Sequence, residues 1–331
     1  MIVKSDFEKY FLIEGRRYVR DGRLFLNHSG ASLQGVFTGE SLFLDVSSEA
    51  AEKGRNAYIR VTIDGRTRRV RLPIGEKTLR YTLPAGKHAF EVIKLTETAN
   101  NTFAIGAVEA DGDFEKPQDD HTLRIEFIGD SISTGFGVLA PHAVGEYKTK
   151  EQDVTKAFPY LVSRALNASY NVIAAGGWPV YKSKYADSAI PDYYDNVDLV
   201  RVKEPWDFAS FVPDVTVVTL GTNDHSYLSE LTGDTLRAEL AETKRRAVRF
   251  LRHIRDLYPE THIVLFYGFY PYPSIETVTR EVAAELGDPR LTLLSTPSAH
   301  SLEDVRAGHP GKRTHRIAAK RLTKHIKGIL K

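Results

Sequence analysis

The sequence predicts an α/β protein in two parts: an all-β sandwich over residues 1–118, then a three-layer α/β/α domain with a parallel sheet over residues 119–331. Three observations carry this expectation. A chain of 331 residues exceeds the size at which a single hydrophobic core stops growing, so two cores are sought. The periodicity changes once, near residue 118, from strand-like runs alone to strands alternating with helices. With 42% hydrophobic and 27% charged residues, both signs mixed along the chain, the composition is that of a globular protein.

In the first part, Ser41–Val46 and Tyr58–Ile63 are rich in β-branched and large apolar residues. Asp64-Gly65 joins the second run to the alternating Thr67–Leu72. It is a strong two-residue hairpin signal, because both turn positions must accept positive φ. The meander continues through Leu79–Leu83 and Ala89–Leu95, with Pro84-Ala85-Gly86 expected as the turn. No helical period interrupts these runs, and Asp111–His121, polar and containing Pro117, is expected to be the linker.

In the second part, Leu123–Ile128, Tyr170–Ala174, Val215–Leu220 and Ile263–Tyr267 are expected to be buried parallel strands. Ala157–Leu166 is helical. Between the last two strands, Leu240, Ala247, Phe250, Leu251, Ile254 and Leu257 fall on one helical face, and Thr314–Ile329 forms a terminal helix. In such a sheet, sites form beyond the carboxyl ends of the strands.

Composition narrows the chemistry. There is no cysteine, which excludes disulfides, thiolate metal sites and a cysteine nucleophile. A net charge of +2 gives no reason to invoke nucleic acid, and Lys244-Arg245-Arg246 lies within a helical pattern as a solvated face. Met1–Tyr10 alternates charged and apolar residues, so no signal peptide is expected, and with no apolar run long enough to cross a bilayer no membrane partner is expected. The expected location is the cytoplasm, or outside the cell if a leader has been removed.

The strand ends carry the candidates. Gly129-Asp130-Ser131 follows the first strand, where a glycine permits a sharp turn and exposes the serine hydroxyl. Alone, such a serine is as readily a helix cap. Ala175-Gly176-Gly177-Trp178 follows the second strand and can offer a backbone N–H to a developing oxyanion. Gly221-Thr222-Asn223-Asp224 follows the third, with Asn223 as a side-chain donor and Asp224 as a helix cap. Gly308-His309-Pro310 precedes the terminal helix, and histidine is suited to take a serine's proton near neutral pH.

In this order the four blocks resemble those of the SGNH (GDSL-like) hydrolase superfamily, over essentially the whole second domain. The resemblance narrows to carbohydrate esterase family 2, two-domain acetyl esterases with a jelly-roll first domain. It rests on Phe37-Thr38-Gly39, Gly86-Lys87-His88, Lys94-Leu95-Thr96-Glu97, Ile125 through Ile132, Leu220 through Asp224, and His309-Pro310 with Thr314-His315. By resemblance, Ser131 is the nucleophile and His309 the base. The oxyanion donors are Ser131, Gly176 and Asn223, with Gly177 as the fallback for Gly176. The implied activity is serine-dependent removal of acetyl groups from xylan or other glycans, with no cofactor and no metal. Rival readings are a short-chain acyl esterase or lipase of the GDSL type, and a non-catalytic carbohydrate-binding protein.

One departure stands out. Arg306 occupies the position, three residues before the base, where these enzymes usually carry aspartate. Asp304 is nearby but shifted, so a Ser-His dyad oriented by a backbone carbonyl is expected. Trp178 and Tyr227, adjoining the oxyanion blocks, are the expected sugar-stacking residues, ahead of Trp206, Tyr270 and Tyr272. His300, His309 and His315 lack a carboxylate at metal-ligand spacing.

Overall fold

The computed structural model describes Met1–Lys331. In the first domain the main strands are β1 (Ser32–Ser48), β2 (Tyr58–Ile63), β3 (Arg66–Arg71), β4 (Gly75–Lys94) and β5 (Ala104–Ala110). With five short strands they form one continuously hydrogen-bonded sheet of ten strands, whose main-strand neighbours are antiparallel in the order β5-β1-β4-β2-β3. Both halves of the long β1 feed the same core: Leu33 and Phe37 from its start pack in one cluster with Leu42, Leu44 and Val46 from its end.

Asp64 and Gly65 turn the β2–β3 hairpin with φ of 49° and 77°. Pro84-Ala85-Gly86, by contrast, does not reverse the chain. The strand runs through it, and the register against β1 shifts between Gly39 and Ser41, so the extra residues form a bulge. The expected linker is also partly structured. Phe114-Glu115 pairs with Phe37 and Val36, placing the Phe114 ring in the β-domain core.

The second domain has a five-stranded sheet of β6 (Leu123–Gly129), β7 (Ala168–Ala174), β8 (Val215–Thr219), β9 (His262–Tyr267) and β10 (Leu291–Ser295). All pairs are parallel, in the order β7-β6-β8-β9-β10. Helices α1 (Phe158–Leu166) and α5 (Lys312–Ile329) cover one face, where Phe158, Val162, Ala318 and Leu322 meet Ile125, Phe127 and Val217. On the other face α3 (Gly233–Leu257) and α4 (Pro273–Leu286) pack Phe250, Leu251, Ile254 and Val282 on Ile128, Ile173 and Leu265. Between β8 and α3 lies the short α2 (Thr222–Leu228). The strand β10 and helix α4 were not anticipated from the sequence. No helix is long and apolar enough to cross a membrane.

Polar residues join the domains. Arg16, 1% exposed, donates to the carbonyls of Tyr194 and Asn196 and pairs with Glu126 on β6. Asp198 accepts from Asn27 at 2.7 Å and from Thr98 at 2.8 Å. A buried charge costs several kcal/mol unless paired and hydrogen-bonded, so these contacts fix one relative placement of the two sheets.

Candidate active site

The site stands at the carboxyl ends of β6, β7 and β8. At the end of β6 the chain passes from Gly129 into a one-turn helix, Ser131–Thr134, capped by Asp130, whose carboxylate accepts the Ile132 N–H at 2.9 Å. A Cβ at Gly129 would lie 2.1 Å from Ser133 Oγ, so the turn is open only to glycine. Ser131 opens this helix, where the first amides have no intrahelical acceptor, and its N–H is available to a ligand.

His309 comes from the loop between β10 and α5, where a small hairpin pairs Val305-Arg306 with His309-Pro310. Its turn residues Ala307 and Gly308 have φ of 46° and 76°. The imidazole Nε2 is 2.9 Å from Ser131 Oγ, and Nδ1 is 3.1 Å from the Ala307 carbonyl. Because a carbonyl only accepts, the ring proton belongs on Nδ1, and Nε2 is left to accept from the serine. Burial pulls the His309 pKa below the usual histidine range, with a smaller upward push from the Ala307 carbonyl, so the ring is neutral near pH 7.

Neighbouring aromatics hold this hairpin. Tyr270 donates its hydroxyl to the Gly308 carbonyl at 2.7 Å. The Phe136 ring lies 4.4 Å from the imidazole, Tyr147 stacks on Phe136 at 3.5 Å, and the Arg55 guanidinium covers Tyr147. Asp304 faces elsewhere: it accepts the Thr314 N–H at 2.7 Å and hydroxyl at 3.0 Å, so it caps α5.

At the end of β7, Ala175–Trp178 makes a tight turn closed by Trp178 N–H to the Ala175 carbonyl, with Gly177 at φ 82°. Here the assignment of Gly176 needs correction. Its N–H donates to Glu97 Oε2 at 3.0 Å and is not open to substrate. The Gly177 N–H has no acceptor within the chain, and this is the donor the turn leaves free.

Asn223 lies in the first turn of α2, 6% exposed, with its amide 3.3 Å from Asp130 Oδ2 and 3.1 Å from the Trp178 carbonyl. These contacts tie the three strand ends together. Asp224 does not cap α2, whose N-cap is Gly221: its carboxylate accepts the N–H groups of Val180 at 2.9 Å and Tyr181 at 2.8 Å, anchoring the segment after the Gly177 turn. Burial pushes Asp130 up to about 7 and Asp224 up to about 6.

The aromatic candidates divide. Trp178 packs its ring against Tyr193 and the core behind it, and Tyr227 lies under the Lys182 ammonium. Trp206 is core. Tyr185 was missed. It is 72% exposed, and a Cβ on Gly177 would lie 3.0 Å from its own Cβ, so an open aromatic ring adjoins the Gly177 turn. Its polar neighbours in sequence gave no signal of this. His315 is buried, accepts the Phe158 N–H and is pulled down to about 4, so it is neutral core. No three histidine or carboxylate side chains gather as a metal site. Lys244, Arg245 and Arg246 pair with glutamates and Asp192 on the helical surface.

Residues 127–317 match the GDSL-like lipase/acylhydrolase family, a span that holds Ser131, Gly177, Asn223 and His309. The chain belongs to this family. Residues 13–117 match the carbohydrate esterase 2 N-terminal domain. This acylhydrolase is 25% identical, over 98% of its length and 90% of the relative's, to an acetylxylan esterase/glucomannan deacetylase of Cellvibrio japonicus. It is 28% identical over 221 residues to the cellulase/esterase CelE of Acetivibrio thermocellus, covering 62% of this chain but only 26% of that much longer protein. Among solved structures it superposes with a TM-score of 0.88 at 21% identity on an acetyl xylan esterase from the rumen bacterium Butyrivibrio proteoclasticus, covering 100% of this chain and 99% of that one.

Proposed function

We propose that this protein is a serine esterase that removes acetyl groups from carbohydrate. The observation that carries the reading is the Ser131 Oγ–His309 Nε2 contact of 2.9 Å, with the far ring nitrogen held by a carbonyl, in a chain whose first domain matches that of family 2 carbohydrate esterases. His309 takes the proton of Ser131 as Oγ attacks the acetyl carbonyl, and the N–H groups of Ser131 and Gly177 meet the oxyanion, joined by the Asn223 amide once it gives up its 3.3 Å contact with Asp130 Oδ2. The protonated imidazole then returns the proton to the sugar oxygen, which leaves as the alcohol. Water repeats the sequence on the acetyl-enzyme, releasing acetate. The buried, neutral His309 suits this two-way traffic, because its Nε2 holds no proton before attack while Nδ1 keeps its own against the Ala307 carbonyl.

Tyr185 is the better sugar platform of this reading, being far more open than Trp178, whose half-buried ring packs on Tyr193. A ring stacked on an exposed aromatic contributes binding remote from the ester, energy that can be used to orient the acetyl group. An acyl pocket fitted to a methyl group penalises each unhoused methylene by about 1 to 3 kcal/mol. The test is a series of nitrophenyl esters from acetyl to octanoyl, alongside acetylated xylan. A steep fall from acetyl to butyryl is expected, and Tyr185→Ala is expected to weaken turnover of acetylated xylan more than of nitrophenyl acetate. Preference for long acyl chains would overturn the deacetylase reading.

A further inference from the structure

Glu97 belongs to the first domain, in the segment after β4, yet it reaches the heart of the second. It is 2% exposed. Its Oε2 accepts from the Gly176 N–H at 3.0 Å and the Thr134 hydroxyl at 3.2 Å, and its Oε1 accepts from Asn100 at 2.7 Å. Thr134 ends the helix that Ser131 begins, and Gly176 precedes the free N–H of Gly177. One carboxylate therefore joins the nucleophile's helix to the oxyanion turn. A Cβ on Gly176 would stand 2.8 Å from Glu97 Oε1, so the bare glycine is what admits the carboxylate.

The carboxylate is itself held from behind. Gln152 Oε1 takes the Glu97 N–H at 3.3 Å and the Tyr147 hydroxyl at 2.7 Å, while its Nε2 donates to Thr134 Oγ at 2.8 Å. Tyr147 is the ring stacked on Phe136, next to the imidazole. A side chain buried at this cost and fixed at both ends, with acceptors aimed at two catalytic loops, is arranged to set their spacing.

We propose that Glu97 is a positioning residue for ester cleavage: by binding the Gly176 N–H and Thr134 together, it sets the Ala175–Trp178 turn so that the Gly177 N–H meets the oxyanion formed at Ser131. This rests on the esterase reading above. It also makes the β-domain part of the reaction machinery, because the catalytic domain alone lacks this carboxylate.

The experiment compares wild type, Glu97→Ala, Glu97→Asp and Glu97→Gln by kcat and KM on 4-nitrophenyl acetate, by thermal unfolding, and by the rate at which a fluorophosphonate labels Ser131. Misplacing a catalytic group by an ångström costs about 10²-fold, so kcat and labelling rate are expected to fall by up to that factor in Glu97→Ala, with KM little changed. Glu97→Asp, one methylene too short to reach Gly176, is expected to fall as far. Glu97→Gln keeps an acceptor for the Gly176 N–H and is expected to recover most of kcat. Thr98→Ala, which removes only the neighbouring interdomain bond to Asp198, is expected to lower the melting temperature while leaving kcat alone.

Unchanged or raised kcat in Glu97→Ala or Glu97→Asp would overturn the proposal, a rise meaning that Glu97 withholds a donor from the substrate. If Glu97→Ala does not fold, Glu97→Asp against Glu97→Gln decides the matter. Wild-type protein that neither cleaves the ester nor accepts the label would sink the esterase reading and this proposal together. Active wild type with indifferent variants would sink this proposal alone.

Discussion

The hairpin that presents His309 and the turn that presents Gly177 both bear on Ser131, but they are fixed by different means. His309 is oriented by a carbonyl two residues away on its own hairpin. The Gly177 turn leans on carboxylates remote in sequence, Glu97 through Gly176 and Asp224 through Val180 and Tyr181. A main-chain carbonyl cannot be mutated away or titrated, so this orientation of the ring needs no aspartate. A donor held by side chains is exposed to substitution at each of them.

The largest effect should come from the base side. His309→Ala is expected to lower kcat on the order of 10⁴-fold or more. Asp304→Ala should stay within a few-fold of wild type while costing about 0.5 to 2 kcal/mol of stability through the lost cap of α5. Comparable losses of kcat in the two variants would make Asp304 a third catalytic member and break the contrast.

On the oxyanion side, Asn223→Ala should cost about 10² to 10³ in kcat, as loss of one oxyanion donor does. That is less than removal of the base. A loss of only a few-fold would remove Asn223 from the donor set and leave its amide as a strut between Asp130 and Trp178.

The smallest effect concerns pH. Since burial lowers the His309 pKa and the neutral ring is the active form, kcat/KM should stay level on acidification and fall only below the ordinary histidine value of about 6.5. Phe136→Ala, which uncovers one face of the imidazole, should move this limb upward, toward the ordinary value. An acid limb in wild type at or above the ordinary value would mean that the ring is solvated and its hairpin less closed than described.

Much of this architecture was legible in the chain, and its limits are instructive. Asp64-Gly65 specified its hairpin because only a few residues accept two successive positive φ angles, a purely local demand. The alternation of Leu123–Ile128 with later helices announced a parallel sheet, because strands buried on both faces must be apolar throughout. Pro84-Ala85-Gly86 misled for the converse reason. Its local turn preference is overridden by a β1–β4 ladder that continues on both sides, and a bulge absorbs the mismatch.

The sequence by itself determined that a serine, a glycine-rich turn and an asparagine stand at three strand ends and that a histidine stands on the loop entering the terminal helix, because strand periodicity and turn chemistry are short-range. It also determined that Arg306 stands where an aspartate was due. Only the tertiary structure decided which amide of the Gly176-Gly177 pair is free, that Ala307 and not Asp304 serves the base, and that Glu97 crosses from one domain to the other. Each of these turns on a hydrogen bond of about 3 Å between groups brought together by packing, a distance on which neither propensity nor pattern has any bearing.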